Sequence, residues 1–513
     1  MPLARPRRGR LIVVSNRLPL GARRHGEEWQ LRQSSGGLVA ALEPVLRRRR
    51  GVWIGWPGAP LETIEEALIV ATRGVGYSVV PVEVPERERK PFYEGFANDI
   101  VWPLFHDFPS YARFESRSWQ AYKRVNRLFA EATAKAARPR DVVWIHDYHL
   151  MDVGAGLRAA GWGGRVGFFL HIPWPSVDLF TKLPWRTEIL RSLFAYDVIG
   201  FQRPRDVRNF AACVTTILRK GVTVRFDGNA VLLGFEGRTL RAAPFPIGID
   251  AAAIEKRARS PAVAEKAKLI RTRTPSRTFL LGVDRVDYSK GIPQKLEAFG
   301  RFLERHPEWH ERVSLMQILS PSRPGMERYE QLRAEVERKV GEINGTYTSL
   351  GWVPVHYVHR MFDAEELLAW YRTADACLVT PLKDGMNLVC KEYCAARLHR
   401  DGVLVLSEFA GAVTQLRDHA VVLNPYDVDA FADAIHAALE MPVKEQRRRM
   451  DGLRRSVRQQ NVHAWAKGFL DALDPSAAGA PGGERDGSSK RGAVSGASSA
   501  AAAPRPHRRR QRR

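Results

Sequence analysis

Short apolar runs that alternate with helix-like segments constrain the fold of this chain more than any other feature. In the first half they occupy residues 11–14, 52–55, 79–82, 142–145, 166–170 and 198–201. The pattern restarts in the second half at 278–283, 314–318, 353–357, 376–380, 403–406 and 420–423. Strands that are apolar along nearly their whole length, with helices between them, are typical of parallel sheets covered on both faces. We therefore predict an α/β protein with two doubly wound, Rossmann-like domains.

A proline- and glycine-containing segment, 244–250, separates the two halves. Two such domains would face each other across a cleft, and ligands would bind at the carboxyl ends of both sheets. The predicted segments are a disordered basic N-terminus (1–10), a first domain (11–249), a second domain (250–455), a C-terminal helix that crosses back to the first domain (456–473) and a disordered basic tail (474–513).

Charge and cysteine content limit the classes of partner and the cellular compartment that we expect for this protein. The formal net charge is +24, and residues 1–10 and 474–513 carry ten of these charges. Such segments cannot bury a core, so we expect at most non-specific contact between the tail and nucleic acid. No apolar run is long enough to span a membrane, so no membrane partner is expected. The four cysteines, Cys213, Cys377, Cys390 and Cys394, lack metal-ligand spacing, which predicts reduced core thiols and a cytoplasmic location.

The sequence that follows the run at 376–380 carries the strongest chemical signal. A turn, 383–385, ends the run and leads into an apolar, helix-like segment that contains Glu392. The turn places Asp384 among free backbone amides at a helix N-terminus, where α/β sheets bind anionic ligands. Because a carboxylate does not hold a phosphate, Asp384 suits the hydroxyls of an attached group, such as the sugar of a nucleotide sugar. A capped turn with a solvated aspartate is the alternative that this stretch leaves open.

Other predicted strands also end in polar side chains. Arg17, Asp147 and His171 each follow an apolar run of the first half. Arg285 and Lys290 follow the run that begins the second half. A planar guanidinium and a mobile ammonium group together suit the two phosphates of a pyrophosphate. We therefore expect these side chains to line one cleft for a polyanionic ligand.

Longer motifs occur in an order that resembles one known family. They are SNR at 15–17, SGGL at 35–38, WIGW at 53–56, WP at 102–103, WIHDYHL at 144–150, FLHIP at 169–173, RVDYSKG at 285–291 and TPLKDGMNLVCKEY at 380–393. In this order they are similar to the trehalose-6-phosphate synthases, over about residues 11–470. The resemblance implies a retaining glycosyltransferase of GT-B architecture. It would move glucose from a nucleoside-diphosphate glucose, usually UDP-glucose, to glucose-6-phosphate and so form α,α-trehalose 6-phosphate.

The same resemblance implies two sets of site residues. The donor set is Gly36, Gly37, His171, Arg285, Lys290, Asp384, Gly385, Met386, Asn387, Leu388 and Glu392. The acceptor set is Arg17, Trp56, Tyr93, Trp102, Asp147 and Arg323. Catalysis would depend on Arg285, Lys290, His171 and Asp384, with the leaving phosphate accepting the proton. The family also implies no metal or other cofactor, and a homo-oligomer, either a dimer or a tetramer.

Two alternatives to this function stay open on the sequence. A related GT-B transferase could act on another phosphorylated acceptor, such as glycerol-3-phosphate or a pseudo-sugar phosphate. A non-catalytic sugar-phosphate sensor is the second alternative, although retention of Arg285, Lys290 and Asp384 argues against it. The donor base (uridine, guanosine or adenosine) also stays open.

Overall fold

The computed structural model describes residues 9–25, 28–33, 37–273, 278–323 and 325–475 of the 513-residue chain. The strands are β1 (Leu11–Arg17), β2 (Leu20–His25), β3 (Glu28–Gln33), β4 (Val52–Trp56), β5 (Ser78–Pro81), β6 (Val142–His146), β7 (Val166–Phe169), β8 (Val198–Phe201), β9 (Thr223–Asp227), β10 (Ala230–Phe235), β11 (Arg238–Pro244), β12 (Thr278–Arg285), β13 (Val313–Ser320), β14 (Val355–His359), β15 (Ala376–Val379), β16 (Val403–Ser407) and β17 (Val421–Leu423).

The α-helices are α1 (Gly37–Arg49), α2 (Leu61–Thr72), α3 (Glu86–Arg89), α4 (Trp102–Phe105), α5 (Ser116–Ala136), α6 (Val153–Ala159), α7 (Val177–Phe180), α8 (Arg186–Leu193), α9 (Pro204–Leu218), α10 (Ala251–Ala258), α11 (Pro261–Arg273), α12 (Ile292–Arg305), α13 (Glu327–Tyr347), α14 (Ala364–Thr373), α15 (Val389–Ala396), α16 (Val413–Leu416), α17 (Val428–Leu439), α18 (Val443–Gln459) and α19 (Val462–Leu473). A π-helical segment, Lys90–Val101, joins α3 to α4.

Each half of the chain builds one sheet. The first has the order β5-β4-β1-β6-β7-β8-β11-β10-β9, and the second has the order β14-β13-β12-β15-β16-β17. Neighbours in the second sheet are parallel, as are those from β5 to β11 in the first. This arrangement confirms the predicted pair of doubly wound α/β domains.

Burial on both faces explains why the apolar runs become central strands. Along β1, Ile12 and Val14 belong to one hydrophobic cluster, whereas Leu11 and Val13 belong to another. Side chains alternate between the two faces of a strand, so both faces of the sheet are covered. All four cysteines are buried free thiols, as predicted from their apolar surroundings.

Five strands occur where the sequence predicted none. β2 and β3 pair as a separate antiparallel hairpin. In the first sheet, β9 and β10 are antiparallel additions next to β11. All five residues of β9 are exposed at the edge of that sheet. Edge strands of this kind are only partly buried, so they lack the continuous apolar run of a central parallel strand.

Within the residues that the structure describes, the chain passes between the two sheets twice. The first connection follows β11 through residues 244–250, and the second joins α18 to α19. Val462 at the start of α19 donates a backbone hydrogen bond to Ile249, so the two connections touch. α19 then packs against α1 and β8 of the first domain. Within the described ranges, none of the helices has both the length and the apolar character needed to cross a membrane.

Candidate active site

A cleft of about 600 Å³ opens between the carboxyl ends of the two sheets. Asp147 and His171 follow β6 and β7 of the first sheet, whereas Arg285 ends β12 of the second. Lys290 and Asp384 lie on the loops that follow β12 and β15, and all five residues line the cleft. The topology therefore brings together residues that are far apart in sequence, as expected for parallel sheets.

Contacts between the two domains flank this cleft. Lys383 forms an ion pair with Asp107. The ring centroid of Tyr288 lies 5.0 Å from the ring centroids of both Phe108 and Tyr111, in edge-to-face geometry. Aromatic pairs at this separation contribute beyond their buried area. The loop around residue 108 thus packs directly on the second domain.

On the first-domain side, His171 is held from two directions. Its backbone amide donates to Asp147 Oδ1 at 3.2 Å. Its ring Nε2 lies 3.1 Å from Nδ1 of His146. Burial lowers the pKa of His171 to about 3. Burial also lowers the pKa of His146, and the neighbouring His171 lowers it further. Both imidazoles are therefore neutral at physiological pH, and one must donate to the other.

The tautomers of this pair follow from the environment of His146. Its Nε2 is buried and has no hydrogen-bond partner among the described residues. A buried donor without an acceptor is costlier than an acceptor without a donor. We therefore assign the proton of His146 to Nδ1, which donates to His171 Nε2. His171 then carries its own proton on Nδ1.

Asp147, on the first-domain side of the cleft, has a carboxyl group whose protonation state can change near neutral pH. Its backbone φ is +74°, in the left-handed region that non-glycine residues rarely adopt. Burial raises the pKa of its carboxyl to about 6, against hydrogen bonds from the amides of His171 and Tyr148 and the charge of Arg285. A small change in surroundings can therefore switch Asp147 between its neutral and ionised forms near neutral pH.

On the second-domain side, Lys290 and Asp384 form a nearly buried ion pair. Lys290 Nζ donates to Asp384 Oδ2 at 2.6 Å, and the two side chains are 11% and 14% exposed. Asn387 Nδ2 donates to the same oxygen at 3.3 Å. Burial alone would raise the pKa of Asp384, but the charge of Lys290 lowers it. Asp384 is thus an ionised acceptor and not a proton donor.

Glu392 behaves differently, although it lines the same cleft. The Tyr371 hydroxyl donates to its Oε2 at 3.1 Å. Burial raises the pKa of Glu392 to about 7, and this hydrogen bond only partly offsets the effect. Glu392 lies on the first turn of α15, on the second-domain side of the cleft.

Arg323 crosses from the second domain towards aromatic side chains of the first. Its guanidinium lies 4.0 Å from the centroid of the Trp102 ring and 3.4 Å from the Tyr148 hydroxyl. It also pairs with Asp287 at 3.4 Å and contacts the Tyr329 hydroxyl. Although burial opposes ionisation of Asp287, the charge of Arg323 lowers its pKa. The guanidinium is therefore held in place before any ligand arrives.

Arg17 and Trp56 form a stack next to this wall. The Arg17 guanidinium lies 4.0 Å from the centroid of Trp56, and that of Arg89 lies 5.3 Å from the same centroid. Burial and the charges of Arg323 and Arg17 lower the pKa of His149 to about 3. Arg17 thus adds positive potential to the cleft, although it does not line the cavity described above.

Most of the predicted site residues meet in the cleft. They are Tyr93, Trp102, Asp147, His171, Arg285, Lys290, Arg323, Asp384, Met386, Asn387, Leu388 and Glu392. Arg17 and Trp56 stay in the adjacent stack. Gly37 is the first residue of α1, and its neighbour Leu38 lines the cleft, whereas Gly36 lies outside the described residues.

Gly385 has a packing role that its motif did not predict. A Cβ atom at this position would lie 2.1 Å from the carbonyl oxygen of His171. Such a contact is impossible without backbone movement, so glycine lets the loop after β15 approach the first domain closely. The residue does not line the cleft itself.

Two residues next to His171 were not assigned a role from the sequence. His146 belongs to the WIHDYHL motif, and its only signal was its position at the end of β6. Trp465 of α19 lies 6.1 Å from His171, measured between ring centroids. It is nearly 300 residues away in sequence, and nothing in its local pattern indicates this contact.

Comparisons with known proteins agree with this geometry. The model of glycosyltransferase family 20 matches residues 9–475. A trehalose-6-phosphate synthase of Mycolicibacterium vanbaalenii is 43% identical over 480 residues, which cover 92% of this chain and 97% of that protein. A trehalose-6-phosphate synthase of Mycolicibacterium smegmatis is 43% identical over 471 residues, which cover 90% of this chain and 92% of that protein.

Solved structures show the same similarity. An α,α-trehalose-phosphate synthase (UDP-forming) from Burkholderia xenovorans, in complex with glucose-6-phosphate, is 35% identical with a TM-score of 0.82 and covers 91% of this chain and 100% of its own. A chain from E. coli bound with UDP-2-fluoro glucose is 34% identical with a TM-score of 0.81 and covers 91% of this chain and 99% of its own. The chain therefore belongs to glycosyltransferase family 20 and is a hexosyltransferase of the trehalose-6-phosphate synthase type.

Proposed function

We propose that this protein transfers glucose from UDP-glucose to glucose-6-phosphate with retention of the anomeric configuration. The observation that carries the proposal is the division of the cleft. Lys290, Arg285 and Asp384 lie on the second-domain side, and Arg323 faces Trp102 on the other. The relatives solved with glucose-6-phosphate and with UDP-2-fluoro glucose support these two substrates.

The donor is assigned to the loops of the second domain. Arg285 and Lys290 would neutralise the diphosphate, and Asp384 would accept hydrogen bonds from glucose hydroxyls. Backbone amides of residues 385–387 would assist, with Leu388 near the distal phosphate and the loop at Gly36 and Gly37 over both phosphates. Glu392 would hold the ribose. The 2.6 Å pair of Lys290 with Asp384 then links the phosphate-binding and sugar-binding groups directly.

The acceptor is assigned to the wall between Arg323 and Asp147. Arg17 and Arg323 would bind the phosphate, since guanidinium groups match its geometry. Tyr93, Trp102 and Trp56 would contact the sugar face, as aromatic rings do in carbohydrate sites. Asp147 would accept a hydrogen bond from an acceptor hydroxyl, and His171 would touch the 6-hydroxyl of the transferred glucose.

The chemistry suits a reaction on one face of the donor sugar. A retaining glycosidase uses one carboxylate as a nucleophile and another as an acid. Here the ion pair with Lys290 holds Asp384 ionised, so Asp384 cannot act as the acid of such a pair. We assign the base to the leaving phosphate oxygen, which accepts the acceptor's proton as the new glycosidic bond forms. The protein contributes position and charge stabilisation. The predicted cytoplasmic location and homo-oligomer stay predictions.

Product analysis tests this function. The protein is incubated with UDP-, GDP- or ADP-glucose, with glucose-6-phosphate or glycerol-3-phosphate as the acceptor. We expect UDP release that depends on glucose-6-phosphate, and an α,α-linked product by proton NMR. Faster transfer to glycerol-3-phosphate would instead support the related transferase. Binding of both substrates without any turnover would support the sensor.

The pKa of Asp147 leads to a pH prediction. Its carboxyl must be ionised to accept from the acceptor, and its pKa is about 6. At saturating donor, kcat/KM for glucose-6-phosphate should therefore fall as the pH drops below about 6. The phosphate of the acceptor titrates in the same range, with a pKa of about 6. Two protonations should thus give a fall of about a hundredfold per pH unit on the acid limb.

Asp147→Asn provides the control for this profile. The variant should have a lower kcat/KM at neutral pH, and its acid limb should fall only about tenfold per unit because the substrate alone still titrates. An acid limb with the same slope in both proteins would show that Asp147 is not the titrating group.

His146 should act as a positioning residue through His171. Replacement of His146 by Phe keeps a planar ring but removes the hydrogen bond, whose net contribution is about 0.5–1.5 kcal/mol. We expect kcat/KM for the nucleotide sugar to fall about 2- to 12-fold. His146→Asn places a polar atom near the position of Nδ1 and should restore much of the loss. Equal impairment by Phe and Asn would assign His146 a packing role only.

A further inference from the structure

A second concave pocket lies in the second domain and shares no lining residue with the cleft. Its volume is about 680 Å³. Three elements form it: the end of α10, the segment after α15 and the last turns of α18. Five of its eight lining residues are arginines, namely Arg259, Arg400, Arg454, Arg455 and Arg458.

Two of these arginines are fixed in place. Arg454 Nη1 donates to the carbonyl oxygens of residues 394, 395 and 397 at 2.7–3.0 Å. Its Nη2 lies 3.1 Å from Glu255 Oε1. Arg458 makes two parallel hydrogen bonds of 2.8 Å to the same carboxylate. The back of the pocket is therefore rigid before any ligand binds, which lowers the entropic cost of binding.

The remaining charges leave the pocket strongly positive. Arg400 lies 3.5 Å from Asp451, but Arg259 and Arg455 are exposed and form no salt bridge with any described residue. Five guanidinium groups thus face two carboxylates, Asp451 and Glu255. Burial would raise the pKa of Glu255, yet the nearby arginines, Arg259 among them, lower it.

We propose that this pocket binds linear inorganic polyphosphate. Several guanidinium groups around one concavity match several phosphoryl groups of one ligand. Among the described residues that line the pocket, Leu398 is the sole apolar side chain and none is aromatic. A nucleotide would find no surface on which its base could stack. The pocket is also a concave site of small-ligand size and not an extended stripe that would follow a nucleic acid.

The pocket lies apart from the cleft, so polyphosphate binding should not interfere directly with glucosyl transfer. Glu255 follows the 244–250 connection, and Arg458 lies at the end of α18, one turn before the chain crosses to α19. A bound polyphosphate would join α10 to α18 near both connections without entering the cleft. We therefore expect the protein to bind polyphosphate and nucleotide sugar at the same time.

Isothermal titration of the full-length protein with inorganic tripolyphosphate at 150 mM salt tests the proposal. UDP at saturating concentration keeps the ligand out of the cleft, where Lys290 and Arg285 would also attract it. We expect the double variant Arg259→Ala, Arg455→Ala to bind about tenfold or more weakly than the wild type, because two charge-assisted contacts are lost.

The control is Arg205→Ala, Arg208→Ala, which removes the same charge from exposed positions of α9. This variant should bind like the wild type, since it leaves the pocket and both basic ends intact. Equal affinity of the two double variants would overturn the proposal and assign the binding to the basic ends. ATP that bound more tightly than tripolyphosphate, in a manner lost with Arg259 and Arg455, would overturn the choice of ligand. If the glucosyl-transfer proposal failed and UDP did not bind, the same comparison would be made in a protein that carries Arg285→Ala and Lys290→Ala, which removes both cleft cations. The polyphosphate proposal can therefore be tested independently of glucosyl transfer.

Discussion

Replacement of Lys290 by alanine is expected to lower kcat by about 10²- to 10³-fold, the effect of removing one preorganised group that stabilises charge in a transition state. Lys290 is 11% exposed and lies 2.6 Å from Asp384. Its loss would remove a positive charge from the proposed diphosphate site. It also leaves the carboxylate of Asp384 without its ion-pair partner.

Steady-state rates of nucleoside diphosphate release measure this effect. Lys290→Arg keeps the charge but cannot fit the same narrow space, so we expect it to recover only part of the rate. Lys339→Met, which removes an ammonium group from a partly exposed position of α13, is the matched control and should keep full activity. A Lys290→Ala protein as fast as the parent would contradict the proposed charge stabilisation.

Replacement of Lys295 by methionine is expected to destabilise the second domain by about 3–5 kcal/mol, because it leaves a buried carboxylate unpaired. Lys295 Nζ lies 2.6 Å from Asp284 Oδ2, and the two side chains are 0% and 3% exposed. Gln317 Nε2 donates to the same oxygen at 3.3 Å. This amide alone cannot compensate an isolated charge in the core.

Urea unfolding, followed by a probe in the second domain, measures this change. The double variant Lys295→Met, Asp284→Leu removes both charges and should recover most of the stability, since well-packed apolar residues often replace a buried ion pair at little cost. Lys339→Met breaks a more exposed pair and should cost about 1 kcal/mol or less. If the double variant were as unstable as Lys295→Met alone, the unpaired Asp284 would not be the cause.

The sequence was informative wherever burial on two faces requires a continuous apolar run. Strands such as β1 and β16 are buried along most of their length, so their composition alone predicts them. The strand β9 was missed because all five of its residues are exposed, and β11 because two arginines interrupt it. β10 is an apolar and mostly buried run that could have been predicted. The pair Gly228-Asn229, which lies between β9 and β10, was the available signal, since Gly-Asn pairs are typical of hairpin turns.

In the site, the positions of residues at strand ends could be predicted, whereas contacts that depend on side-chain rotamers could not. Asp147, His171, Arg285 and Asp384 could be assigned to one cleft because parallel strands align their carboxyl ends. The 3.1 Å contact of His146 with His171 depends on two side-chain rotamers, which no spacing rule specifies. The stack of Arg17 on Trp56, beside the cavity and not in it, likewise depends on side-chain geometry.

The packing of α19 has a consequence for synthesis on the ribosome. The Trp144 ring stacks on Phe469 at 4.5 Å, and Trp465 lies 4.9 Å from it. Both partners come from α19, so a growing chain leaves this aromatic face of the first sheet in water until more than 460 residues have been made. Because Trp465 also lies beside His171, a nascent first domain that folds early lacks the packing that supports this side of the cleft. We therefore expect chaperones to bind this exposed face of the unfinished chain. Transferase activity should appear only after translation of α19.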